Sequence, residues 1–155
     1  MKTVRFATIE DIPAILHLLE QVNLVHHLGR PDLFRRATKY GEAELCAILQ
    51  DPKTPVFVCE ENGAVLGHAF CILQEIAGDR LLCDRKTLYL DDICVDEAAR
   101  GKGVGHALYR HAEAYAKALG CYNVTLNVWC CNPGAMRFYE AMGLVPQKVG
   151  LERIL

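Results

Sequence analysis

Apolar residues fall into two rhythms along this chain, and the switch between them marks out the elements. Residues 4–8, VRFAT, read as a short strand, after which Ile9, Ile12, Ile15, Leu16 and Leu19 recur at the steps of a helix face. Thr8 or Asp11 can cap that helix, and Pro13 suits its first turn, where a missing N–H matters little. Residues 29–41, GRPDLFRRATKYG, break the period with Gly, Pro and Gly and read as a loop ahead of a second helix over residues 42–50. The rhythm then changes. PVFVCEENGAVLGHAFCILQ holds two β-rich runs joined at an Asn-Gly turn, which predicts an antiparallel hairpin. LYLDDICV reads as a further strand, GVGHALYRHAEAYAKALG as a helix ended by Gly120, YNVTLNVW as another strand, and PGAMRFYEAMG as a short helix stopped by Gly143. The closing VPQKVGLERIL is expected to return as a last strand. A hairpin followed by interleaved strands and helices predicts a mixed sheet with helices on both faces, in one α/β (α+β) domain spanning residues 1–155.

Composition narrows the partners. The 155 residues suffice to bury a core without metal or disulfide staples. Seventeen basic residues face nineteen acidic ones with no basic stripe, so the electrostatic footprint of a nucleic-acid binder is missing. The N-terminus lacks a signal-peptide pattern, and no apolar run reaches the roughly 18 residues of a membrane span, so a cytoplasmic protein with no membrane partner is expected. Eight cysteines include no CxxC pair and no His spacing that suits zinc, and no metal is expected. Most sit in apolar runs such as VFVCE, where a free thiol packs as a small hydrophobe. Cys130 and Cys131 are adjacent and open to oxidation.

Chemistry concentrates in DDICVDEAARGKGVGHALYR, where Gly101, Gly103 and Gly105 alternate at the mouth of a helix behind Arg100 and Lys102. A strand, a glycine-rich turn and a helix together aim free N–H groups and the positive helix end at an anion. Glycine permits unusual backbone angles there and has no Cβ to block approach. A phosphate group is therefore expected against residues 100–105. Neither a P-loop nor a dinucleotide fingerprint fits, since the third glycine of GxGxxG would fall on His106 or Leu108. The pattern that fits is R-x-x-G-x-G on Arg100, Gly103 and Gly105.

A second motif follows, N-x-x-A-x-x-F-Y-x-x-x-G, on Asn132, Ala135, Phe138, Tyr139 and Gly143, with Leu144 where Phe is usual. With both motifs in this order, the chain resembles the GNAT superfamily of acetyl-CoA-dependent N-acetyltransferases. The resemblance covers nearly the whole chain in element order and is most specific from Tyr89 to Gly143. It implies a GNAT fold, a central mixed, mostly antiparallel twisted sheet flanked by helices, with acetyl-CoA as the cofactor. Residues Arg100, Gly101, Lys102, Gly103, Val104 and Gly105 would then hold the coenzyme A pyrophosphate. His106 either touches coenzyme A or points away.

The implied reaction, attack of an amine on a thioester, needs the amine deprotonated, the oxyanion met by donors and the thiolate protonated. Tyr139 occupies the family position whose phenol protonates the sulfur. Backbone groups of Ile93, Cys94 and Val95 would pair with the pantetheine and thioester, on a strand the family splays from its neighbour. Asn127, Ala135 and Phe138 are further cofactor contacts, and Asn132 either serves the pantetheine or caps the following helix. Asp91 and Asp92 are the candidate acceptor-side acids; strand alternation sends them to opposite faces unless a bulge intervenes. By analogy with the family, Asp91 and Tyr89 face the acceptor. His26 and His27 border the irregular loop, where His27 is a candidate substrate contact and a solvated helix end is the alternative.

An acidic pair suits a small cationic, polyamine-like amine, acetylated by direct attack in a ternary complex. A protein N-terminal or lysine acetyltransferase and a non-catalytic coenzyme A module are the alternatives, and an acyl-Cys94 route lacks a paired base. The resemblance also implies a homodimer.

Overall fold

The computed structural model describes residues 1–155. Its elements, in chain order, are β1 (Thr3–Phe6), α1 (Ile12–Gly29), α2 (Glu42–Gln50), β2 (Val56–Glu61), β3 (Ala64–Ile76), β4 (Arg85–Val95), α3 (Val104–Ala118), β5 (Asn123–Leu126) and α4 (Pro133–Ala141), with single 3-10 turns over Ile9–Asp11 and Glu97–Ala99. The strands form one sheet in the order β1-β2-β3-β4-β5, antiparallel except for the parallel β4–β5 pair. The β2–β3 hairpin turns on Asn62 and Gly63, at φ 53° and 77°. That mirror-image turn follows the twist of its strands, which is why Asn-Gly signals it.

Period-two patterning separates two cores. Phe57, Cys59, Ala69, Cys71, Leu88 and Leu90 face α3, which brings down Val104, Leu108, Ala112 and Ala116. The intervening Val56, Val58 and Phe70 face Ile12, Ile15 and Leu19 of α1 and Leu45 of α2. Helices therefore cover both faces, as the pattern predicts. Gly120 and Gly143 follow α3 and α4 with φ of 75° and 97°, left-handed backbone that ends each helix.

Two strand expectations need correction. The strand expected across residues 122–129 is confined to Asn123–Leu126, because the chain leaves the sheet there to reach α4. The expected closing strand is absent. Residues 145–155 carry no regular structure, and Val145, Val149, Leu151 and Ile154 are exposed. Their apolar alternation is real, but a strand exists only as a ladder. The backbone of residues 145–155 forms no hydrogen bond to the rest of the chain. One cysteine expectation is also narrowed: Cys59, Cys71 and Cys94 are buried, whereas Cys83 and Cys130 are exposed and the remainder lie between. No helix is long and apolar enough to cross a membrane.

Candidate active site

The glycine loop is built as an anion cradle. Gly101 and Gly103 adopt φ of 75° and 80°, and an added Cβ would meet nothing at either position, so the demand there is on the backbone angle. The first backbone bond of α3 runs from the Ala107 N–H to the Gly103 carbonyl at 3.0 Å. Six consecutive N–H groups, residues 101–106, consequently donate to nothing in the protein and sit together at the positive end of a 15-residue helix. The cations lie beside them. Arg100 Nε donates to the Val95 carbonyl at 3.3 Å and Lys102 Nζ to the Ala98 carbonyl at 3.0 Å, while His106 is exposed. Gly105 serves packing instead: a Cβ there would lie 3.3 Å from Phe138 and 3.5 Å from Val95, so its absence lets α3 close on α4. Val104 is buried beneath the loop.

Upstream of the loop the sheet opens. The parallel ladder ends at Leu90–Leu126, so residues 92–95 keep their β3 pairing but have no strand on the other side. This exposed edge, carrying Ile93, Cys94 and Val95, is where an extended ligand could add main-chain bonds. Asn127 follows β5 and donates from Nδ2 to Tyr89 Oη at 3.2 Å. Asn132 caps α4, its Oδ1 accepting from the Ala135 N–H at 3.2 Å, so of its two open uses the cap is realised.

The acidic pair sits on a bulge. Phe70 pairs with Asp92 but Cys71 pairs with Leu90, which leaves Asp91 as an extra residue on β4. Alternation resumes one step out of phase, so both aspartates reach the α1–α2 side. Their surroundings differ. Asp91 is consumed by the loop before α2: Lys39 Nζ donates to its two oxygens at 2.9 and 2.8 Å, and Tyr40 Oη donates to Oδ2 at 2.9 Å. Burial followed by the Asp91 contact drives the Tyr40 phenol well above its usual range. Asp92 instead accepts from His68 Nε2 on Oδ2 at 2.8 Å, and its Oδ1 has no partner.

Three groups stand around Asp92. Burial pushes the Tyr139 phenol up and the negative charge of Asp92 adds to it, so this hydroxyl holds its proton. His26 is pushed down by burial, with Asp92 opposing that shift, so the ring is neutral near pH 7. Cys94 is buried with Sγ 3.3 Å from the Leu18 carbonyl, and its thiol is pushed up to about 12 by burial and then by Asp92. A thiol so placed is a poor nucleophile. His27, expected as a substrate contact, has its Nδ1 2.7 Å from the Phe34 carbonyl and so ties the loop to α1. Phe34 in turn packs edge-on against Trp129 at 5.2 Å.

Sequence patterns alone do not single out His68, Lys39 or Tyr40. Only His68 leaves a trace there: a histidine inside the apolar strand run GHAFC has to find a polar partner.

Comparison with known proteins places these motifs. The model of the acetyltransferase (GNAT) family matches residues 22–144. The chain is 29% identical over 147 residues to an uncharacterized N-acetyltransferase of Methanocaldococcus jannaschii, covering 95% of this chain and 62% of that protein. It is 33% identical over 104 residues to glucosamine 6-phosphate N-acetyltransferase 1 of Oryza sativa, covering 57% of this chain and 61% of that protein. The chain thus spans about three fifths of the length of these relatives. Among solved structures, a tetramutant of the BH1408 protein of Bacillus halodurans superposes with a TM-score of 0.95 at 30% identity, over 99% of both chains. Glycine cradle, opened sheet and α4 motif all fall within the matched region, and the chain belongs to the acetyltransferase (GNAT) family, whose members draw the acetyl group from acetyl-CoA.

Proposed function

We propose that this protein transfers the acetyl group of acetyl-CoA to a primary amine on a small molecule, by direct attack in a ternary complex. The observation that carries the reading is the row of six undonated N–H groups at residues 101–106, in line with an unpaired strand edge that leads to Asp92 and Tyr139. In this reading Arg100, Gly101, Lys102, Gly103, Val104 and Gly105 hold the diphosphate, with His106 at the rim. The edge of Ile93, Cys94 and Val95 holds the pantetheine and meets the oxyanion; Asn127, Asn132, Ala135 and Phe138 border that arm.

The proton inventory assigns the acids. An acceptor ammonium gives one proton to Asp92, and the free amine attacks the thioester carbonyl. The tetrahedral adduct then loses a second proton from nitrogen as the C–S bond breaks. Tyr139 protonates the departing sulfur, the nitrogen proton restores the phenol, and the proton on Asp92 leaves to solvent. The raised phenol suits this role because it is protonated when the thiolate departs. Direct attack is favoured over an acyl-cysteine by the buried, protonated thiol of Cys94.

For the acceptor, the polyamine-like reading loses half its support because Lys39 already neutralises Asp91. An amine that also carries an anionic group fits better. The loop between α1 and α2 bears Arg35 and Arg36, both exposed, and relatives named glucosamine 6-phosphate N-acetyltransferases act on such a molecule. Tyr89 and the loop tied down by Asp91 and His27 would shape its pocket. A homodimer and a cytoplasmic setting belong to the same reading. The dimer is supported by the free edge of β5 together with the exposed apolar positions of residues 145–155.

The test is acetyl-CoA titration of the purified protein followed by thiol release with polyamines, phosphorylated amino sugars, aminoglycosides and peptide amines. Saturable binding with amine-dependent thiol release is expected. Absence of acetyl-CoA binding would overturn the assignment, and binding without release to any amine would favour the non-catalytic module.

A further inference from the structure

We infer that His68 is a positioning residue for Asp92: it anchors Oδ2 from within the core and so presents Oδ1 to the acceptor amine. The inference rests on the acetyl-transfer reading and adds to it a residue from a different strand. His68 lies on β3 opposite Cys94, fully buried, its ring edge-on to Phe70 at 4.9 Å. Its Nε2 stands 2.8 Å from Asp92 Oδ2, and the Asp92 side chain retains 12% of its exposure. An ionised carboxylate can only accept, so we assign the ring proton to Nε2.

The other ring nitrogen is the informative one. His68 Nδ1 is the one buried side-chain polar atom in the protein without a partner. A residue serving only to fill this space would be apolar, since a buried unpaired nitrogen is a standing cost. The cost is tolerated where Nε2 does something that an apolar side chain cannot. With Nδ1 surrounded by core and offered nothing to bind, the ring has one polar contact and one orientation, which makes it a rigid donor. The bulge at Asp91 completes the device, because without the extra residue Asp92 would point to the α3 side and could not meet His68.

Other charged or titratable groups also face Asp92: His26 from α1, Tyr139 from α4, Tyr40 ahead of α2, and Cys94 and Asp91 on its own strand. Of these, none is hydrogen-bonded to the carboxylate; His68 alone is. A donor on Oδ2 holds the carboxylate in one orientation, so removing it lets Oδ1 turn away from the acceptor.

The experiment compares wild type with His68→Phe, which fills the ring space without a donor, and with His68→Gln, which restores an N–H. Should the phenyl ring not be accommodated, His68→Met removes the same donor with a flexible chain. We expect His68→Phe to lower kcat/KM for the amine by about 10- to 100-fold, in the lower range of one acid–base contribution. The loss should fall on kcat rather than on KM for the amine, with acetyl-CoA affinity unchanged. His68→Gln should recover most of that loss. Independently of turnover, the proton resonance of the His68 Nε2–H should move upfield in Asp92→Ala relative to wild type, because its acceptor is lost. An Nε2–H resonance that does not respond to Asp92→Ala, or an unchanged kcat/KM in a His68→Phe variant that merely loses stability, overturns the inference. If no amine is acetylated by wild type, the acetyl-transfer reading fails while the Nε2–H resonance still decides the pair.

Discussion

The two ends of this site are made from different material. At the end proposed to hold coenzyme A, residues 101–106 offer bare main chain, with two glycines at positive φ and no side chain needed to create the six free donors. At the proposed acceptor end, side chains from distant segments make the contacts: Lys39 and Tyr40 with Asp91, His68 with Asp92, His27 with the Phe34 carbonyl. The difference shows how one scaffold can keep its cofactor and change its acceptor. A main-chain cradle tolerates any residue that accepts its angles, whereas each side-chain pair can be exchanged for another shape.

Substitutions should separate the two ends. The largest effect is expected from Asp92→Asn, which keeps an acceptor for His68 but removes the proposed base; kcat should fall by about 10²- to 10⁴-fold with acetyl-CoA binding intact. Steady-state kinetics beside calorimetric titration checks this, and an unchanged kcat would remove Asp92 from the reaction. Next, Tyr139→Phe should lower kcat by about 10²-fold with the same retention of cofactor, because it deletes the proposed proton donor and keeps the ring against Phe138. Smaller again, Lys39→Ala frees Asp91 and loosens the loop. KM for the acceptor should change by about 3- to 10-fold, an effect of roughly 1 kcal/mol in keeping with an ion pair whose lysine is half exposed. A polycationic acceptor would gain from the freed carboxylate and an anionic one would lose, so the sign of the change discriminates between them.

The smallest effect concerns stability and lies away from both ends. Burial works to raise the Asp11 carboxyl, but Arg5, bonded at 2.8 and 3.0 Å, and the Thr8 N–H at 2.7 Å outweigh it and hold it below its usual value. A depressed carboxyl stabilises the fold above its unfolded-state value and ceases to do so as pH falls through the folded one. The melting temperature of wild type should therefore drop by a few degrees more than that of Asp11→Asn on acidification below about pH 4. Melting temperatures that fall with the same slope in the two proteins over that range would refute the assignment.

Legibility in the sequence follows the same division. The Asn62–Gly63 turn, the two core faces and the glycine cradle are local features, each written in consecutive residues whose backbone demands only certain side chains can meet. The partners of Asp91 and Asp92 lie 52 and 24 residues away in sequence and are set by a bulge that no local pattern announces. Asp91 is expected from the sequence to face the acceptor. Its parity with Tyr89 holds, but its carboxylate is engaged by Lys39, which only the folded loop reveals. The closing strand fails to form because alternation reports which side of a strand is apolar and says nothing about whether a neighbouring strand is present.

The most direct measurement is calorimetric titration of acetyl-CoA into wild type and Gly103→Val. Gly103 opens α3 at φ 80° with space around it, so valine acts there through the backbone it cannot adopt. Saturable binding by wild type and a loss of at least about tenfold in the variant, the size of one strained residue, is the predicted result. Equal affinity in the two proteins, both still folded, would contradict a cofactor held by main-chain donors.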